Sequence, residues 1–184
     1  MVEATQILRG DDIKVREDAP SVLVVRTRRL EKMQLDSLED ALGVSLPQTP
    51  NTCALTGDIE VCWMAPGEWA LIGMAPNDAR RRLERARIDV LLHIADFTDA
   101  WSRWRVDGPR ARDVLAKGCS LDLHPRAFQD AQCAGTQLDR IHVLLIRQGD
   151  QFALHAERAL SRHVWLWFEQ ATAELCVDAA EHRQ

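Results

Sequence analysis

Tyrosine is missing from this chain, and lysine is confined to Lys14, Lys32 and Lys117. The rest of the 23 basic residues are arginine, set against 28 acidic residues and a net charge of -5. That balance excludes a dedicated nucleic-acid binder, which carries a basic excess to release counterions from phosphates. Arginine in place of lysine suits planar charged contacts at protein interfaces, though a GC-rich genome gives the same bias. No apolar run approaches the roughly 20 residues that a membrane-spanning helix needs. The opening stretch MVEATQILRGDDIK has no basic segment followed by an apolar core. No secretory leader is therefore expected, and the cytoplasm is the expected compartment.

Other absences narrow the chemistry. Cys53, Cys62, Cys119, Cys133 and Cys176 include no C-x-x-C pair. An odd, scattered set is neither a zinc ribbon nor a disulfide framework, so buried reduced thiols are expected. The glycine-rich dinucleotide fingerprint, the Walker loop, H-E-x-x-H and G-x-S-x-G are all missing. A Rossmann unit holding a flavin or nicotinamide would show its glycines at a strand-helix turn, and none are there.

What is present is ordinary for a folded domain. The 184 residues are 46% hydrophobic and 28% charged, which excludes collagen-like, coiled-coil and wholly disordered chains. The length suits one generous domain or two small lobes sharing a core. Residues 1–20 read as an extended N-terminal segment. Residues 21–27 (SVLVVRT) are β-branched and read as a buried strand. Leu35, Leu38, Ala41 and Leu42 fall at helical spacing, with Gly43 as the stop. After the loop LPQTPNT come apolar runs at 60–65 and 69–74, divided by Pro66-Gly67, a turn pair. Asn77 or Asp78 is placed to cap a helix to about residue 88, with Ala79, Leu83, Ala86 and Val90 inward. A strand at 91–97 completes a split β-α-β-β-α-β lobe.

A second round follows without a linker. Residues 101–106 alternate as a strand, and Asp107-Gly108-Pro109 leads into a helix bearing Ala111, Val114 and Leu115, with Gly118 past its end. Strands are expected at 136–138, 141–146 and 151–155, the last two joined at Gly149-Asp150. A closing helix over 157–175 shows Leu160, Val164, Trp167, Phe168 and Ala171 as its stripe. The expected architecture is α+β: two interlocked ferredoxin-like lobes, residues 21–98 and 99–175, with a flexible tail at 176–184.

Three features bear on function. Residues 118–125 (GCSLDLHP) bring a thiol, a carboxylate and an imidazole close in sequence, as a Cys119 nucleophile or a metal set would need. The plainer reading, and the expectation, is a structured connector in which Asp122 and His124 fasten backbone groups. Arg80, Arg81, Arg82, Arg85 and Arg87 crowd one helix, either as a solvated face or as a patch for an acidic partner. Trp101 and Trp104, three apart on a strand, point to opposite faces, and Trp165 and Trp167 cannot both face the core. At least one of each pair is expected near the surface, which is an interface hint.

Several segments together resemble the gamma subunit family of heterotetrameric sarcosine oxidase. They are residues 65–72 (APGEWALI), 106–115 (VDGPRARDVL), 115–128 (LAKGCSLDLHPRAF), 133–136 (CAGT), 152–158 (FALHAER) and 163–167 (HVWLW). The resemblance spans residues 60–172 and departs at Ala159, where the family tends to have serine after arginine. It implies a fold like that of the folate-dependent aminomethyltransferases. It also implies membership of a complex that oxidatively demethylates sarcosine to glycine with hydrogen peroxide. Formaldehyde, or methylene-tetrahydrofolate when the folate acceptor is present, would be the other product. The resemblance places FAD, FMN, NAD and tetrahydrofolate on the alpha and beta partners and zinc on delta, with no cofactor, metal or catalytic residue on this chain. The alpha subunit is the expected main partner, and Trp101, Trp104, Trp165, Arg81 and Arg85 are the candidate interface residues. Two alternatives stay open. One is a stand-alone folate-binding or one-carbon-transfer protein, with Asp99 or Asp107 holding the pterin. The other is a thiol enzyme centred on Cys119.

Overall fold

The computed structural model describes residues 7–9, 12–28 and 30–181. The chain divides into two units, one of residues 20–99 and the other built from residues up to 19 together with residues from 100 onward. The strand order of each unit explains that division.

In the unit of residues 20–99, a five-stranded antiparallel sheet has the order β4-β5-β6-β3-β7. Numbering follows the chain after two earlier strands, β1 (Ile7–Arg9) and β2 (Lys14–Asp18), which belong to the other unit. β3 (Val22–Thr27) is flanked by partners on both sides and is buried from Val22 to Val25, hence its unbroken apolar run. α1 (Lys32–Leu42) buries Leu38 and Leu42, which lie one turn apart. Its start carries a reciprocal cap between Glu31 and Gln34. Gly43, at φ +69°, ends it as expected.

β4 (Cys53–Thr56), β5 (Ile59–Ala65) and β6 (Glu68–Ile72) form consecutive hairpins. Gly67 takes φ +74°, and a Cβ there would stand 2.5 Å from the carbonyl oxygen of Thr27. Only glycine fits that turn. α2 (Pro76–Ala86) starts differently from the expectation: Ala75 holds the cap position, neither Asn77 nor Asp78 does, and Pro76 opens the helix. Proline suits that position because its missing N–H has no intrahelical acceptor there. Of the expected inner face, Ala79 is buried and Leu83 half-buried, whereas Ala86 is exposed and Val90 lies past the helix. β7 (Leu92–Asp96) closes the lobe. The observed order is the split pattern read from the sequence plus one edge strand, β4.

The second unit carries a six-stranded antiparallel sheet, β1-β2-β8-β11-β10-β9. Its elements are β8 (Trp101–Asp107), α3 (Ala111–Ala116), β9 (Cys133–Leu138), β10 (Ile141–Gln148), β11 (Gln151–Glu157), a single 3-10 turn at Arg158–Leu160, and α4 (Ser161–Glu181). The β-α-β-β-β-α order is the one read from the sequence. The N-terminal segment is not a separate lead-in, because β2 pairs with β8 in register Val15↔Val106. α4 continues through 176–181, where a tail was expected, and residues 182–184 lie outside the described residues.

This unit's core packs α3 and α4 on one sheet face. Val114, Leu115, Val164 and Phe168 meet Trp104, Val106, Phe152 and Leu154, all of them buried. Lys117 ties the two helices together by donating to the carbonyl of Ala171 at 2.7 Å and pairing with Glu174. Gly118 serves close approach rather than a left-handed helix stop. A Cβ there would come within 2.6 Å of the Trp167 ring.

Candidate functional site

The arginines of α2 are not equivalent. Arg82 reaches across to α1 and donates to the carbonyl of Leu42 at 2.5 Å, satisfying an orphan acceptor at that helix end. Arg81 pairs with Asp78 one turn back, and both side chains are largely in solvent. Such exposed pairs contribute little to stability. Arg85 is exposed and has no side-chain hydrogen bond or ion pair among the described residues. Arg81 and Arg85 therefore present charge that the fold does not consume. In the same unit Met33 is 80% exposed and Leu91 73% exposed. A cleft of about 370 Å³ lined by Met33, Ile88 and Val90 adjoins the end of α2.

Each tryptophan pair keeps one member nearer the surface, Trp101 and Trp167, but two of the candidate interface tryptophans are buried. Trp104 is completely buried and Trp165 is 6% exposed, both in the core of their unit, so neither is at the surface of this chain. Leu160 lies on the 3-10 turn before α4 and is exposed, while inside α4 Trp165 and Trp167 stand on opposite flanks of the stripe of Val164, Phe168 and Ala171. Trp165 faces inward beside Val164 and Phe168, and Trp167 is the half-buried member. The Trp104 Nε1 has no hydrogen-bond partner among the described residues, so this ring is held by packing alone. Trp101 is half-buried at the start of β8, its ring 6.1 Å from that of His155.

The connector at 118–125 behaves as expected. Asp122 accepts from the His124 backbone at 2.9 Å, and His124 Nδ1 accepts from the Arg126 backbone at 3.3 Å. The Cys119 thiol lies 3.9 Å from the Thr136 hydroxyl, and His124 is spent on its own turn. The nucleophile and base of a thiol enzyme are not brought together. Asp99 is exposed, and Asp107 ends β8 half-buried, with Oδ1 lacking a hydrogen-bond partner among the described residues.

A polar row crosses the second sheet that sequence reasoning missed. Asp18 on β2, Arg103 on β8 and His155 on β11 stand directly opposite one another in the strand registers. Arg103 binds both oxygens of Asp18, at 2.7 and 3.0 Å. Arg16 and Arg105 lie 3.7 Å from the same carboxylate. His155 is buried, and burial first, then the charges of Arg103 and Arg105, pushes its imidazole well below the usual range. It is held neutral. A second missed pair is Cys53 and Cys62, which sit opposite each other on β4 and β5.

Against known proteins, residues 32–174 match the family described as sarcosine oxidase, gamma subunit family. The chain is 34% identical to the sarcosine oxidase subunit gamma of Corynebacterium sp. (strain P-1) over 142 residues, covering 75% of this chain and 69% of that protein. It is 32% identical to the corresponding Arthrobacter sp. subunit over 140 residues, with the same coverage. A chain of the heterotetrameric sarcosine oxidase from Corynebacterium sp. U-96, solved in complex with pyrrole 2-carboxylate, superposes with a TM-score of 0.80 and 25% identity, covering 93% of this chain and 89% of that one. The glycine cleavage system aminomethyltransferase T from Bartonella henselae shares the fold, at a TM-score of 0.54 and 17% identity over 82% of this chain and 43% of that chain. With a family match running from α1 into α4 and two relatives above 30% identity, the chain belongs to the sarcosine oxidase gamma subunit family.

Proposed function

We propose that this chain is a non-catalytic, structural subunit of a heterotetrameric, flavin-dependent sarcosine oxidase. The observation that carries the reading is the superposition of 93% of the chain on a chain of such an enzyme. In this reading the complex oxidises sarcosine to glycine and releases hydrogen peroxide, together with formaldehyde or methylene-tetrahydrofolate. FAD, FMN, NAD and tetrahydrofolate are carried by the partner subunits. The engagement of Asp122 and His124 by their own backbone supports a structural role for the segment that most resembles a catalytic cluster.

The work of this chain is then docking, chiefly on the alpha subunit. Arg81 and Arg85 on α2, with exposed Met33 and Leu91 in the same unit, form the surface we assign to it. Methionine and arginine are residue types enriched at protein interfaces. Trp101, half-buried on β8, is a second contact point.

Affinity capture of the tagged chain from its native host tests the function. Larger flavin-bearing partners and a yellow eluate are expected, and a colourless, solitary protein refutes the reading. For the surface, Arg81→Glu combined with Arg85→Glu should reduce co-purification while leaving the urea midpoint of the isolated chain unchanged. Undiminished co-purification removes α2 from the interface.

A further inference from the structure

Cys53 and Cys62 occupy directly opposed positions at the open end of the β4-β5 hairpin, where β4 is the edge strand of its sheet. The next pair along accepts a ladder bond, the Trp63 N–H to the Thr52 carbonyl at 3.0 Å. Ladder bonds alternate in antiparallel pairs, so Cys53 and Cys62 form a non-hydrogen-bonded pair, in which Cα atoms approach to about 4.5 Å and side chains lie closest. That spacing falls inside the range of about 4.4–6.8 Å that a disulfide spans without backbone movement. The thiols already touch, Sγ to Sγ at 3.7 Å, and both cysteines are reduced. By contrast, the Cys119 thiol has a hydroxyl neighbour, Thr136.

We propose that Cys53 and Cys62 are a reversible oxidation site, closed to a disulfide by a peroxide. Exposure assigns the roles, since Cys53 is half-buried on the edge strand and Cys62 is fully buried behind it. Peroxide is attacked by Cys53 sulfur, its O–O bond breaks, and Cys53 becomes a sulfenic acid with release of one water. Cys62 sulfur then displaces the sulfenic oxygen as a second water, forming the S–S bond. Overall two thiols and one hydrogen peroxide give one disulfide and two waters. An external dithiol reopens the bond by exchange.

Closure would clamp the edge strand to β5 beside the loop that supplies the Pro47 carbonyl to Trp69 Nε1, a hydrogen bond of 2.7 Å. The same loop contributes Gln48 and Pro50 to a cleft of about 570 Å³ walled by Trp63 and Trp69. Strand alternation puts Cys62 on the sheet face opposite Trp63 and Trp69, so closure would act on that cleft only through the backbone of β5 and the adjoining loop, and the chemistry holds whichever activity the assembly carries.

The test uses the full-length wild-type chain, reduced, freed of reductant and exposed to hydrogen peroxide. It is then denatured, alkylated and cleaved after Glu60, which lies between the two cysteines. The expected result is one species joining the Cys53 and Cys62 peptides, lighter by two hydrogens than their sum and separated by a reductant. Both positions lose alkylation together, and Cys53→Ser abolishes the linked species. Recovery of both thiols alkylatable, or of either one joined to Cys119, Cys133 or Cys176 instead, overturns the assignment.

Discussion

Arg103 grips Asp18 through two N–H···O bonds, Nε to Oδ1 at 2.7 Å and Nη2 to Oδ2 at 3.0 Å, from directly opposite positions on β8 and β2. The arginine is 8% exposed. This carboxylate supports its charge and also faces Arg16 and Arg105. Removing the acid breaks a largely buried, bidentate ion pair. Asp18→Ala should cost about 3 kcal/mol of stability, and Asp18→Asn, which retains one acceptor, should cost less. Urea unfolding with an unchanged slope checks this, and an unshifted midpoint for Asp18→Ala would show that β2 does not depend on the pair.

His155 gives stability a dependence on pH. Its folded-state affinity for protons is depressed, first by burial and then by Arg103 and Arg105, so the native protein holds it neutral. The unfolded chain takes up a proton as pH falls below the ordinary value of 6.5, so the contribution of this group is complete above that pH. It is lost as pH falls from there toward the depressed native value, at up to about 1.4 kcal/mol per pH unit. Urea midpoints measured above and below that value should fall on acidification. In His155→Gln the fall should be shallower by this increment, and parallel slopes would remove His155 as the cause.

Gly118 tests the packing of α4. With a Cβ 2.6 Å from the Trp167 ring, Gly118→Ala should overpack the contact and cost roughly 1–3 kcal/mol. Trp167→Leu in the same background should recover part of that loss. A double-mutant cycle on the unfolding midpoints measures the coupling, and strict additivity would mean that the alanine harms through its own backbone instead.

Arg82 and Arg85, three residues apart on α2, should separate cleanly. Arg82→Ala removes the donor to Leu42 at the end of α1 and should cost about 1 kcal/mol. Arg85→Ala should leave stability within about 0.5 kcal/mol of wild type. Equal losses would contradict the distinction between a structural and a presented arginine.

Much of the fold was legible because its strands and turns carry local signals. The run of Val22 to Val25, Gly43 after α1 and Pro66-Gly67 between β5 and β6 each declare themselves in a few residues. β4 was not legible, because CALT is a short, half-exposed edge strand with no alternation. β2 was missed as a sheet member for another reason. KVRED reads as charged, and its partner β8 lies far along the chain. The tryptophans show the limit most clearly. Alternation says that Trp101 and Trp104 face apart but not which face is covered, and helical spacing sets Trp165 and Trp167 on opposite flanks of the stripe of Val164 and Phe168 without saying which flank is covered. The Cys53–Cys62 pair was readable in principle, since the two stand equally far from the Gly57-Asp58 turn.

The division of the sheets sets an order on synthesis. β2 emerges from the ribosome well before β8 and β11, because residues 20–99 are made in between. Those intervening residues carry every partner their own sheet needs and can close on the nascent chain as soon as β7 appears. β2 cannot: β1 pairs one of its edges, but until β8 is translated the other is unpaired and open to a wrong partner. Val15, buried in the finished protein, is in that interval an exposed apolar residue, and the alternating charges around it are what keep the waiting segment in water.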